Sequence, residues 1–365
     1  MKSVKHVGGP NRARRRKGYW SSKSDAELLA LDFYSEDPSK LPRLLEMEPQ
    51  TDESPEVEFS YDTTQTGTGM VMCVHCKKSA PNHNRGFVMQ FQNGDRILIG
   101  KDCGRKLYGE SFSHAERDHR EAAERGSLLR KRLGVLGAKL RLVELLETVE
   151  GNPCWLAYGE LRRDFNNAMP DLAHELADAV RSRDGALYAN TLIHDVEAEA
   201  AYENRTGRKA PHMKTVSVVH SVLAGRSFFK MGEASPDRLV PDYVHRAKAA
   251  LWTLEETDKS NHDFRLFFTA LNLVISNLQS EAERIDVLPV AFGMENGKRI
   301  SEWAAANRLP SFHAELARWY IGNRDGVTTV RSEARGWVSS EIHLPSAWPL
   351  APHAELREIA AILSK

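Results

Sequence analysis

Cys73-Val74-His75-Cys76 opens the stretch that decides the fold, and Arg96-Ile97-Leu98-Ile99-Gly100-Lys101-Asp102-Cys103 closes it. Between them, Phe87-Val88-Met89-Gln90-Phe91 and Arg96-Ile97-Leu98-Ile99 flank Gln92-Asn93-Gly94-Asp95. Asn-Gly between two apolar runs predicts a β-hairpin, because its tight turn needs positive φ at positions these residues tolerate. Two residues between Cys73 and Cys76 let both sulfurs approach one ion at about 2.3 Å while the intervening amides turn toward them. Cys103 follows the hairpin directly, where a strand gives way to a helix, and the positive end of a helix dipole favours a thiolate there.

Knuckle, hairpin and helix-start ligand occur in the order of a treble clef. Residues 70–110 resemble treble-clef-like zinc modules, in which a CxxC pair, an extended hairpin and a Val/Ile-Gly-x-x-Cys follow one another; here these are Cys73 to Cys76, the hairpin, and Ile99 to Cys103. The resemblance implies a Zn2+ cofactor on Cys73, Cys76 and Cys103. It also implies a fourth ligand three residues after the third, and that position is Lys106, which cannot serve while protonated. His83, in Pro81-Asn82-His83-Asn84, is the first candidate because it lies between knuckle and hairpin; His75, His114, His119 and Cys154 are the alternatives. Three cysteines and a histidine would make a closed shell, the mark of a structural ion that staples a unit too small to fold by its own core. Three readings stay open beside it: thiols that only pack, a redox CxxC without the usual βαβ context, and an open site holding water for hydrolysis.

Outward from the module, residues 1–20 hold seven basic side chains (Lys2, Lys5, Arg12, Arg14, Arg15, Arg16, Lys17) and no acid, which predicts a disordered arm. Ser24-Asp25-Ala26-Glu27 reads as a capping box before a short helix. Twelve acidic residues between Asp25 and Asp62 face only Lys40 and Arg43, so residues 21–66 are expected as short helices and an acidic linker. The module proper spans 67–112. Residues 113–150 are expected as one amphipathic helix with Leu129, Leu133, Leu136, Leu140 and Val143 on a face. Residues 151–365 read as a mainly helical domain: Pro170 and Pro241 stand at helix starts, Phe264 to Leu278 forms a broad apolar face, and Pro352 opens a terminal helix. Val327 to Val330 and Trp337 to His343 are expected as two short C-terminal strands. The expected class is α+β, predominantly α: a small zinc-bound hairpin module, a long helix, and a larger helical domain.

The 365 residues carry 50 Lys plus Arg against 50 Asp plus Glu, so any electrostatic specialisation must be local. Three of the four cysteines crowd between positions 73 and 103, which fits a metal site in a reducing compartment rather than a disulfide framework. The basic N-terminus leads into no apolar core of a signal peptide, and the most apolar window is too short to cross a bilayer, so a cytoplasmic protein without membrane contact is expected. Lys77, Lys78, Arg85, Arg96, Lys101, Arg105 and Lys106 outnumber Asp95, Asp102 and Glu110 by four. With the arm, they make nucleic acid, DNA or RNA, the expected partner, in a regulatory or accessory role; the candidate contacts are Arg12, Arg14, Arg15, Arg16, Lys17, Lys77, Lys78, Arg85, Lys101, Arg105 and Lys106. The alternative is an adaptor or inhibitor that grips another protein through the helix at 113–150. An enzyme stands third, because the large domain contains no GxSxG, no phosphate loop, no HExxH and no nucleotide fingerprint.

Overall fold

A computed structural model describes residues 18–49, 53–67, 69–76, 83–255, 259–307, 320–324, 327–334 and 337–364. The predicted basic contacts Arg12, Arg14, Arg15, Arg16, Lys17, Lys77 and Lys78 lie outside the described residues. The chain divides into two compact units: Met1–Val135 with Asp258–Leu266, and Leu136–Thr257 with Phe267–Lys365. The described part is predominantly helical with small antiparallel sheets, an α+β chain that is mainly α.

In the first unit, α1 (Asp25–Ala30) starts at the expected capping box: the Ser24 hydroxyl accepts from the Glu27 N–H while the Glu27 carboxylate accepts from the Ser24 N–H. The arm expected over 1–20 does not extend through its last residue. Trp20 is buried, its indole N–H donates to the Val57 carbonyl at 2.6 Å, and its ring packs on Phe33, because so large an apolar side chain has more to gain from the core than from water.

The sheet of this unit has three strands in the order β1-β2-β3: β1 (Glu56–Asp62), β2 (Arg85–Gln90) and β3 (Arg96–Ile99). A helical turn, α2 (Thr63–Thr66), follows β1. The expected hairpin is present, with Phe87 opposite Ile99 and Gln90 opposite Arg96, and Gly94 takes the positive φ of 86° that its turn requires. β1 stands where short helices and an acidic linker were expected. Two of its three acids are neutralised across the sheet, Glu58 by Arg96 and Asp62 by Arg85, while Val57 and Tyr61 go into the core. Val57, Met89, Ile97, Ile99 and Phe112 form the apolar centre beneath the sheet.

α3 (Lys101–Gly137) and α4 (Lys139–Glu150) replace the single helix expected at 113–150. Helix begins at Lys101, is interrupted by the non-helical Gly109 (φ 55°, ψ −125°), and breaks again at Ala138, next to Gly137. The buried face departs from the expected stripe already before this break: Leu133 and Leu140 are exposed, and Val135, Leu142, Leu145, Leu146 and Val149 are buried instead. Gly104 of α3 meets the ring of Phe112 so closely that a Cβ would lie 2.4 Å from it. Gly104→Ala gains helix propensity worth about 1 kcal/mol. Overpacking a rigid aromatic ring costs about 1–3 kcal/mol, so a net loss is expected, read as a lower denaturation midpoint.

The second unit contains α4, α5 (Cys154–Ala168), α6 (Pro170–Arg183), α7 (Val196–Thr206), α8 (Arg226–Phe229), α9 (Pro236–Thr253), most of α10 (Asn261–Asp286), α11 (Leu288–Ala291), α12 (Met294–Asn307) and α13 (His353–Ser364). Phe165, Phe228 and Phe292 meet edge to face at its centre. Two expectations change. Pro241 sits inside α9 rather than at its start, which is Pro236. The unit also holds more strand than expected: β4 (Ala186–His194) pairs with β5 (Met213–Val222), and the C-terminal sheet has three strands, β6 (Tyr320–Arg324), β7 (Val327–Ala334) and β8 (Trp337–Leu344). The β-branched run from Thr215 to Val219 explains β5.

Candidate metal centre

The chain turns at Cys73-Val74-His75-Cys76 between Val71, which bridges to His83, and Val74, whose N–H donates to the Leu98 carbonyl of β3. Those two backbone links tie the knuckle to the hairpin. The hairpin in turn delivers Cys103 to the first turn of α3. As a result, the sulfurs of Cys73, Cys76 and Cys103 all lie within 4.8 Å of one another, with Cys76 and Cys103 3.1 Å apart, and all three are free thiols. Cys73 is buried; the other two are half-buried.

Burial alone would raise the Cys73 thiol, but N–H groups of Gly100, Cys76 and His75 point at its sulfur and hold its pKa below the ordinary value. Cys103 shifts the other way, pushed up by burial and by the two neighbouring sulfurs. Three thiols this close cannot all ionise against one another; a divalent cation among them would reverse that repulsion. The donor set suits a soft or borderline ion.

His83 stands beside this group but not within its 4.8 Å circle. Its ring lies over Gly100, where a Cβ would come 3.6 Å from Cδ2 and 3.8 Å from Nε2. Nδ1 is 3.2 Å from the buried Tyr61 hydroxyl, and the two rings stack. Nε2 is buried with no hydrogen-bond partner. Burial lowers the pKa of His83 and favours the neutral imidazole, the form that ligates metal. Of the alternatives, His75 is 3.9 Å from Glu48, His114 is exposed, His119 Nε2 bonds the Phe33 carbonyl, and Cys154 belongs to the second unit. An orphaned imidazole nitrogen beside three converging thiols fits a four-ligand metal site.

Tyr61 was not among the residues singled out from the sequence. The only signal was the alternation Val57, Phe59, Tyr61, since its contact with His83 spans the sheet. Its hydroxyl packs where Gly86 leaves space; a Cβ on Gly86 would lie 2.5 Å from that oxygen.

Of the described basic candidates, Arg85 pairs with Asp62, and Lys101 and Arg105 share the carboxylate of Glu116 at 2.5 and 3.5 Å. Lys106 is exposed on the next turn. A cavity of about 600 Å3 lies on the knuckle side of the sheet, lined by Leu44, Met47, Met70, Met72, Cys73 and Leu98 among others. Among the described residues, no helix is long and apolar enough to cross a membrane. Comparison with models of known families, with curated proteins and with solved structures finds no match.

Proposed function

We propose that Cys73, Cys76 and Cys103 hold a structural Zn2+, with His83 Nε2 closing the shell, and that the module so stapled binds nucleic acid. The mutual approach of the three sulfurs carries the metal reading. Zinc is the ion that a Cys3His set suits best, and four protein ligands leave it no open position for catalysis. Nucleic-acid binding draws its support from the helix that starts at the site. Lys101, Arg105 and Lys106 stand within two turns of Cys103, and one carboxylate, Glu116, engages two of them. The side chains of Lys101 and Arg105 are about half exposed, within reach of an incoming phosphate, which would share these cations with the largely buried Glu116 rather than displace it.

Affinity for a generic duplex or single strand is then expected to fall steeply between low and moderate salt. Replacing Lys101, Arg105 and Lys106 together by Gln is expected to flatten the log–log salt slope by about two to three units. Titration by fluorescence anisotropy reads both. Absence of affinity at low salt would remove this reading in favour of a second one, the docking of another protein. What favours that second reading is the cavity with exposed Met47, Met70 and Met72 on its wall, since methionine surfaces adapt to varied apolar side chains.

A further inference from the structure

We propose that the second unit carries a phosphate-binding site, built on one face of α5 and the start of α9 and independent of the metal centre. Gly159, Arg162, Arg163 and Asn166 recur at i, i+3, i+4 and i+7 on α5. They line a cavity of about 240 Å3 together with Ser235, Asp237 and Arg238 at the N-terminal end of α9.

Arg162 is the group that asks for a ligand. It is only 9% exposed, its Nη2 donates to the Lys230 carbonyl, and its Nη1 is buried without a hydrogen-bond partner. Among the described residues no carboxylate forms an ion pair with Arg162, Arg163 or Arg238. A guanidinium withdrawn from water with neither a paired charge nor full hydrogen bonding is strongly unfavourable, and an anion in the adjoining cavity would relieve it.

The end of α9 adds a second source of attraction. Ser235 is the N-cap, yet its hydroxyl makes no capping bond and turns to the Asp237 carboxylate instead. Pro236 has no N–H, and the N–H groups of Arg238 and Leu239 return to the Ser235 carbonyl. The positive end of an 18-residue helix is thus left without a side-chain cap beside the cavity.

Two carboxylates oppose this. Glu233 is engaged by Lys230, and Asp237 by Ser235, so three guanidinium groups still leave the cavity net positive. Planar guanidinium forks match phosphate oxygens two at a time, better than they match a halide or a single carboxylate oxygen. The cavity is smaller than the roughly 300 Å3 of ordinary small-molecule pockets, so it takes the phosphate and little of what bears it. Inorganic phosphate, a small phosphate ester and a nucleic-acid strand share that chemistry.

The test is calorimetric titration of the full-length protein with inorganic phosphate at low salt. One saturable site is expected. R163Q/R238Q, exposed positions whose loss leaves the core intact, is expected to weaken binding by about tenfold or more. Asp237→Asn, which removes the competing charge, is expected to tighten it by several-fold, on the order of a unit charge at close range. Competition by a 5′-phosphorylated trinucleotide but not by its 5′-hydroxyl twin would assign the site to strand ends. Equal competition by both would assign it to strand interiors, and by neither to small phosphate esters; each upholds phosphate as the ligand. No saturable binding by the wild type, or unchanged affinity in both variants, overturns the site.

Discussion

Cys76→Ser is expected to lose the metal and, with it, the fold of the knuckle, hairpin and start of α3, rather than merely to weaken binding. Structural zinc contributes about 10–16 kcal/mol of apparent binding energy in small modules. The net stability of a domain is only about 5–15 kcal/mol. A unit whose sheet has three strands cannot absorb the loss of one thiolate from such a term. Purified protein should contain one zinc per chain, and Cys73→Ser, Cys76→Ser and Cys103→Ser should each contain none. Limited proteolysis should then cut within residues 67–112, as it should after treatment of the wild type with a chelator. His83→Ala retains three thiolates and should bind zinc more weakly while remaining foldable at excess metal. Tyr61→Phe, which removes only the hydroxyl on His83 Nδ1, should cost about 10–100-fold in affinity if that contact orients the ligand. Folded, metal-free serine variants would mean that the thiols simply pack.

The second large effect lies in the other unit. Arg284 and Glu281 are both buried on α10, joined by a 2.7 Å ion pair, and Arg284 also donates to the Ala234 carbonyl and lies over the Tyr158 ring. Burial raises the Glu281 carboxyl pKa, and the neighbouring guanidinium works against that rise. Glu281→Leu leaves a buried, uncompensated cation and is expected to destabilise the protein by about 3–5 kcal/mol. The double variant E281L/R284M removes both charges and should recover most of that loss, since a buried ion pair and a well-packed apolar pair are often near equal. Chemical denaturation of the two variants and of R284M alone closes the cycle; additive losses would show that the two side chains act independently.

The readable parts of the sequence were those in which neighbours along the chain are also neighbours in space. Asn93-Gly94 announced its hairpin and Ser24 to Glu27 its cap, because both devices are completed within four residues. The convergence of the three cysteines was legible through their spacing. β1 was hidden because acid outweighed the alternation of Val57, Phe59 and Tyr61, and its charges find partners only across the sheet. β4 and β5 were missed because an 11-residue helix separates them, so no turn residue joins strand to strand. The neutralisation of Lys101 and Arg105 by Glu116 was equally invisible, since only the path of the chain past Gly109 brings that carboxylate back toward the first turn. The helix stripe misled because burial leaves it at Leu133, which is exposed while Val135 is buried, and the non-helical Ala138 then interrupts the helix before Leu140.

Gly109 divides what looks like one rod into two. Its φ of 55° with ψ of −125° is open to glycine alone, so the ladder of amide bonds is cut between the turn bearing Cys103 and the body of α3. Melting of the segment before Gly109 would therefore stop at a firebreak, and the remaining helix, about eight turns at about 3.6 residues each, would keep its own cooperativity.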